Sequence, residues 1–129
     1  MVWQNMEWTD HFVLITPMWW GGLPAKLEGL LDRILLPGKA FDTRNPKWGL
    51  PAPMLTGRSA RIVITSDTPG WFLWLAYRNA LIRQLRGQIL NYVGIKPSRF
   101  THFVGASHPK PGIVDAWLKQ MRKLGTTGT

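Results

Sequence analysis

The chain has 129 residues, enough for one domain with a hydrophobic core of its own. It contains no cysteine, which excludes a disulfide framework and a thiolate site. No apolar run approaches the roughly 18 residues that a membrane span requires, and the first residues lack the basic region of a signal peptide. We therefore expect a cytoplasmic protein without a transmembrane segment.

The formal net charge is +9, and it is concentrated late in the chain, where nine lysines and arginines follow Gly70 against one acid, Asp115. Such a surface attracts polyanions, nucleotide phosphates and acidic membranes. The charges are spread over predicted helices and loops, however, and are not interleaved with aromatic residues along one element. This spacing favours a solvated basic face, so we do not expect nucleic acid as a partner.

The first predicted elements are the last turn of a helix within residues 1–10 and a buried strand over 11–16. The strand is a short run of apolar and β-branched residues. A helix is predicted over 25–36, where leucine and isoleucine recur at helical spacing and charged residues occupy the other side. Pro37 and Gly38 end this helix.

The connection between this strand and this helix, Pro17 to Pro24, is the most informative stretch. Pro17 ends the strand ladder, and the following glycine pair permits backbone angles that a Cβ resists and lets the main chain approach a flat ligand. In open α/β sheets, ligands bind at such turns. Trp19 and Trp20 either form a wall for a planar group or plug the end of the sheet, since aromatic residues also dominate cores.

The middle of the chain holds a long loop and a second strand. Residues 39–57 contain prolines and glycines without a hydrophobic period, which indicates an excursion loop. A strand is predicted over 60–66, and small and polar residues follow it. There Asp67 and Thr68 either bind a ligand or make local turn contacts. Residues 72–78 are mostly apolar and are interpreted as a helical turn or a lid.

Three further elements complete the chain. An apolar face at helical spacing predicts a helix over 79–93, and Gly87 within it is interpreted as a point of close packing against a neighbour. A third strand is predicted over 98–104 and a last helix over 113–124, with Ile113 among its inward residues. The order β-α-β-α-β-α indicates an α/β fold with a parallel sheet and right-handed crossovers.

Several sites that a sequence can reveal are absent. No GxGxxG motif follows a strand, and there is no Walker A motif. His11, His102 and His108 lack the spacing of metal ligands, so no metal site is expected, and His102 is interpreted as a structural residue of a strand. Redox chemistry would need a bound cofactor, because the chain has no thiol.

Several segments match a known family in collinear order. Pro17 to Ala25 resembles the NAD(P)H:quinone oxidoreductase family with the flavodoxin-like fold, which includes DT-diaphorase and the ancillary oxidoreductases of potassium-efflux systems. The resemblance covers about Trp8 to Gly125, nearly the whole chain. The other matching segments are Leu30 to Arg33, Leu36 to Phe41, Gly57 to Ala60, Thr65 to Pro69, Gln88 to Leu90 and Gly94 to Pro97.

The resemblance implies a three-layer flavodoxin-like fold with a parallel sheet, of which this chain is the C-terminal β-α-β-α-β-α part. Residues 1–129 would then be a single flavodoxin-like domain that is N-terminally incomplete. The family's first strand, its phosphate-binding loop and the helix and strand after it have no counterpart here. The strands at 11–16, 60–66 and 99–104 are expected to be parallel neighbours in that order.

The resemblance also implies a function, a flavin-dependent NAD(P)H:quinone oxidoreductase. Hydride would pass from NAD(P)H through a bound flavin, FMN or FAD, to a quinone-like small molecule, and no catalytic side chain is implied. The implied cofactor-binding residues are Pro17, Met18, Trp19, Trp20, Gly21, Asp67, Thr68, Pro69 and Gly70. Candidates for the substrate side are Trp71 and Tyr77.

Other functional classes stay open at this point. The chain could be a truncated, catalytically inactive relative that acts as a structural or self-associating module, or a basic module that binds nucleic acid or an anionic membrane. Phe12 to Ile15 would present an open apolar edge, and such edges recruit other chains. Because members of the resembled family are also dimers with active sites at the subunit boundary, we expect a homodimer or a larger assembly.

Overall fold

The computed structural model describes residues 2–129, so only Met1 lies outside the described part. Its elements follow the predicted order, with an additional pair of strands. They are α1 (Val2–Trp8), β1 (His11–Pro17), α2 (Ala25–Ile34), β2 (Phe41–Lys47), β3 (Leu50–Pro53), β4 (Ser59–Ser66), α3 (Gly70–Tyr77), α4 (Ala80–Arg83), a π-helical segment (Gln84–Asn91), β5 (Ser98–Val104) and α5 (Ile113–Thr127).

The main sheet has three strands in the order β1-β4-β5, and both pairs are parallel. Leu14 lies opposite Ile62, which lies opposite Phe100. This confirms the predicted parallel sheet, its strand order and the α/β class. The central strand β4 is the most buried, with Ile62 and Ile64 fully inaccessible, because both of its neighbours and the helices cover it.

The core lies on one face of this sheet. Alternate side chains of a strand point to opposite faces, and Phe12, Leu14, Ile62 and Phe100 all belong to the face that packs against the helices. The helices and the π-helical segment supply the other side of the core. Their buried members are Met6, Ile34, Leu81, Leu85 and Leu90.

The opposite face of the sheet is only partly covered. On this face Phe103 stacks on Trp117 of α5 with 4.9 Å between ring centroids. Val13 and Ile15 remain 53% and 65% exposed, and α5 has no buried residue. The prediction that Ile113 points inward is wrong, since its side chain is 37% exposed.

The segment predicted to be an excursion loop, residues 39–57, instead contains an antiparallel hairpin of β2 and β3. Its register shifts between Asp42 and Lys47, and two of the four residues of β3 are prolines. Strand prediction depends on the alternation of apolar and polar residues. A bulge, and prolines that cannot donate a hydrogen bond to a neighbouring strand, interrupt this alternation. Phe41 anchors the hairpin, with its ring 5.2 Å from that of Tyr92.

Helical structure extends from Gly70 to Val93 with one break. The ambiguous residues 72–78 lie mostly within α3, and the predicted helix over 79–93 is confirmed, although its centre is π-helical. The interpretation of Gly87 is wrong, because a Cβ there would have no heavy atom within 4 Å. Among the helices of residues 2–129, none is both long enough and apolar enough to cross a bilayer.

Candidate functional site

The three parallel strands end at the same edge of the sheet, and three loops leave it. The first loop (residues 18–24) follows β1, the second loop (67–69) follows β4, and the third loop (105–112) follows β5. A cavity of about 640 Å³ opens at this edge. Its lining residues come from the first two loops, the strand ends, α3 and the start of α4: Met18, Trp20, Gly21, Ser66, Asp67, Thr68, Leu73, Tyr77, Asn79, Ala80, Leu81, Ile82 and His102.

The first loop is a tight turn. Trp19 and Gly22 exchange two backbone hydrogen bonds of 3.0 Å. Trp20 and Gly21, between them, both have positive φ, of 54° and 76°. Such a pair of left-handed residues is typical of a type I′ turn, which explains the need for glycine at the second position. A Cβ on Gly21 would meet nothing within 4 Å, so its backbone is open to a ligand.

The two tryptophans of this loop are exposed. Trp19 is 61% exposed and the Trp20 side chain lies entirely in solvent, at the rim of the cavity. The alternative in which they plug the end of the sheet is therefore wrong. Met18 and Leu23 of the same loop pack against the core instead.

The second loop is fixed by its aspartate. One Asp67 carboxylate oxygen accepts a hydrogen bond from the Ser107 backbone N–H at 2.8 Å, and the other accepts from its hydroxyl at 2.5 Å. These bonds lower the pKa of Asp67 below its ordinary value. Asp67 thus ties the second loop to the third loop, and its carboxylate oxygens are already engaged.

The wall of the cavity beyond the second loop comes from α3 and from the junction between α3 and α4. Leu73 is buried, whereas Tyr77 is exposed and reaches the cavity. Arg78 and Asn79 then adopt left-handed conformations in succession, with φ of 50° and 52°. Non-glycine residues rarely adopt this region, and such strain concentrates at functional sites. The break directs the chain so that Asn79 also lines the cavity.

Ser66, at the end of β4, and His102, in β5, form a polar pair on the strand side of the cavity. The Ser66 Oγ lies 2.7 Å from His102 Nε2 and 3.2 Å from the Thr68 carbonyl oxygen. Burial lowers the pKa of His102 below its ordinary value, which favours the neutral ring. The sequence interpretation assigned His102 a structural role only. In the sheet His102 lies opposite Ile64, two residues before Ser66 at the end of β4, and the sequence alone does not reveal this register.

The cavity brings together some, but not all, of the residues singled out from the sequence. Six line it, and five do not. The lining ones are Met18, Trp20, Gly21, Asp67, Thr68 and Tyr77. The other five are neighbours of lining residues in the chain. Pro17 ends β1, Trp19 closes the first turn, Pro69 precedes α3, Gly70 begins α3, and Trp71 is exposed on α3.

The charge of the cavity is low. Asp67 is the only carboxylate among the described lining residues, and no lysine or arginine lines it. Within residues 2–129, no group of three His, Asp or Glu side chains could hold a metal ion. An apolar cavity with a few polar groups suits a planar, largely uncharged molecule.

Comparison with known proteins identifies relatives of this chain. An uncharacterized NAD(P)H oxidoreductase of Haemophilus influenzae is 32% identical over 95 residues, which are 73% of this chain and 46% of that protein. An FMN-dependent NADH:quinone oxidoreductase of Beijerinckia indica is 30% identical over 112 residues, 84% of this chain and 51% of that protein. The chain thus spans about half the length of these curated relatives.

Structural comparison agrees with these relatives. The crystal structure of a Streptococcus mutans protein superposes with a TM-score of 0.83 at 26% identity, covering 95% of this chain and 63% of that one. The family model described as "flavodoxin-like fold" matches residues 2–124. This match covers nearly the whole chain, and the chain therefore belongs to the family with the flavodoxin-like fold.

Proposed function

We propose that this chain forms the ring-binding part of a flavin-dependent NAD(P)H:quinone oxidoreductase. The observation that carries the proposal is the cavity of about 640 Å³ at the carboxyl end of the sheet, lined by both loops that the sequence singled out. Its position follows the general rule for ligands in open α/β sheets. A relative with an FMN-dependent NADH:quinone activity in its name supports the same function and favours FMN over FAD.

The residues present fit the ring of a flavin better than its phosphate. The cavity lies within the ~300–1,000 Å³ of small-molecule sites, and the exposed Trp20 ring and the open backbone of Gly21 can flank a planar group. No lysine or arginine lines the described cavity. A phosphate would therefore be held by a group outside this lining.

A bound flavin would supply hydride transfer between the nicotinamide donor and the quinone-like acceptor. The chain itself would orient the reactants and exclude water. Trp20 would cover one side of the ring, while the backbone of the first and second loops would supply hydrogen bonds. Tyr77, which lines the cavity from the end of α3, would contact the acceptor. Trp71, exposed near the start of the same helix, is the second candidate for this contact.

We also propose that the active assembly is a homodimer. Val13 and Ile15 have exposed side chains, and one edge of β1 is unpaired within residues 2–129, so this strand offers apolar surface that a second chain can cover. Residues 1–129 are proposed to behave as a single domain within that assembly. The alternative is a catalytically inactive relative that keeps the sheet and its association but has lost flavin binding.

Titration with FMN tests the proposal, with quenching of flavin fluorescence as the readout. Trp20→Ala is expected to weaken binding by about three- to tenfold, since an aromatic contact contributes ~0.5–1.5 kcal/mol beyond its buried area. Trp48→Ala is a matched control, because Trp48 is equally exposed, has a φ of 55° and precedes a glycine, but lies in the β2–β3 turn.

Two outcomes would count against the proposal. If FMN is not quenched by the unmodified chain at any concentration, the catalytically inactive alternative is favoured. If Trp20→Ala and Trp48→Ala bind FMN equally well, the first loop is not part of the flavin site.

A further inference from the structure

His102 occupies a position in the cavity that the flavin and quinone sites described above do not use. It lines the cavity from β5, and its ring is held by Ser66, a buried residue at the end of β4. Ser66 is separated from it by 36 residues in the chain, so the contact depends on the pairing of β4 and β5. The pair is a side-chain hydrogen bond between two residues that both line the cavity.

The hydrogen bonds fix which ring nitrogen carries the proton. A hydroxyl has one hydrogen, and the Thr68 carbonyl oxygen can only accept. Both contacts of Ser66 are therefore satisfied only when its hydroxyl donates to Thr68 and His102 Nε2–H donates to Ser66 Oγ. In the neutral ring this leaves a lone pair on Nδ1. In the described residues no hydrogen bond engages Nδ1, and it is not among the fully buried polar atoms without a partner.

The surroundings keep His102 neutral. Burial disfavours its charged form. The other titratable residues of the cavity lining are Asp67 and Tyr77, and both carboxylate oxygens of Asp67 are bonded to Ser107. From the π-helical segment, Arg86 lies over the ring of Phe100, two residues earlier on the same face of β5. His108 is the histidine of the third loop, beyond Ser107.

We propose that His102 is a binding residue that accepts a hydrogen bond at Nδ1 from an N–H group on the edge of a planar ring, and that Ser66 positions it for this role. The ligand class is a heteroaromatic ring with an imide N–H, such as the isoalloxazine. This assignment rests on the proposed function for the identity of the ring. Because protonation converts Nδ1 from acceptor to donor, binding would weaken in mildly acidic solution.

The test compares lumiflavin with 3-methyllumiflavin, which lacks the imide N–H. The unmodified chain should bind lumiflavin about five- to tenfold more tightly, the ratio expected for one net hydrogen bond. His102→Phe should bind both probes equally. Lumiflavin binding by the unmodified chain should weaken as the pH falls through the pKa of His102, whereas binding of the methylated probe should be insensitive to it.

Matched variants separate binding from folding. His11→Phe removes a second His–Ser pair, His11 with Ser59 at 2.7 Å, at the opposite end of the sheet, and should leave the ratio unchanged. Ser66→Ala should reduce the ratio, and Ser66→Thr, which keeps a hydroxyl, should restore it. The ratio of lumiflavin affinity to 3-methyllumiflavin affinity is interpreted only for variants that show a cooperative thermal transition.

The failure of this proposal is distinguishable from failure of the proposed function. If lumiflavin binds with no preference over its methylated analogue, a flavin site exists without the His102 contact, and the proposal is wrong. If neither probe binds, the proposed function fails. ¹⁵N NMR of the imidazole then still tests the tautomer of His102 and its contact with Ser66. A neutral ring protonated at Nδ1, or a spectrum that Ser66→Ala leaves unchanged, would overturn the proposed geometry.

Discussion

A Cβ placed on Gly94 would lie 2.9 Å from Cγ2 of Thr56 and 3.0 Å from its backbone nitrogen. Gly94 has a φ of +100° and follows the helical segment that ends at Val93, and Leu55, beside Thr56, donates a backbone hydrogen bond to Val93. The glycine therefore allows the end of the helix to approach the segment after the hairpin. Both the backbone conformation and the space exclude a larger residue.

Gly94→Ala is expected to destabilise the fold by about 2–4 kcal/mol, since it combines a strained φ with an overpacked contact to backbone. Gly87→Ala is the matched control, because a Cβ there meets no atom within 4 Å. In a helical segment that exchange is expected to be neutral or to stabilise by up to about 1 kcal/mol. Urea denaturation followed by circular dichroism measures both. Equal midpoints for the two variants would contradict the packing described for Gly94.

The order of the main elements could be predicted from the sequence, for local reasons. The strands β1, β4 and β5 are short apolar runs followed by turn residues, and a parallel sheet follows from their alternation with helices. The hairpin could not be predicted, because Pro46, Pro51 and Pro53 and a register shift interrupt its alternation. The contact between His102 and Ser66 could not be predicted for another reason. The two residues are 36 positions apart, and only the pairing of two strands brings them together.

The bonds between Asp67 and Ser107 predict a pH-dependent connection between the second and third loops. The pKa of Asp67 is lowered in the folded state, first by the side-chain bond from Ser107. A lowered carboxyl pKa contributes stability that is present above the unfolded value of 3.8 and is lost as the pH falls through the folded value. Ser107→Ala should therefore raise the pKa of Asp67 toward its ordinary value. NMR titration of the Asp67 carboxyl carbon measures this pKa, and an unchanged pKa would show that the hydroxyl bond from Ser107 does not form in solution.

The stack of Phe103 on Trp117 predicts that α5 is held to the sheet mainly by this one contact. The ring planes are 22° apart, and no residue of α5 is buried. Trp117→Ala is expected to increase amide hydrogen exchange throughout α5 while leaving that of β4 unchanged, because local openings follow local contacts. Leu118→Ala, at an exposed position of the same helix, serves as the control. Equal exchange in the two variants would mean that other contacts hold the helix.

The exposed face of β1 predicts self-association. Ile15 is 65% exposed in the main sheet, and Leu50 of the hairpin is 64% exposed, so the two sites offer apolar side chains of similar size and exposure. Of the two, only Ile15 belongs to a strand with one edge that no strand of residues 2–129 pairs with, beside a partly uncovered sheet face. Such an edge pairs readily with another chain. Ile15→Lys is expected to shift the protein toward the monomer in size-exclusion chromatography with light scattering at low micromolar concentration, because a buried unpaired charge opposes the contact. Leu50→Lys should leave the mass unchanged.

Two outcomes would contradict this prediction. An unmodified chain that elutes as a monomer and melts cooperatively would contradict the proposed dimer, and an equal effect of both substitutions would place the contact elsewhere than on β1.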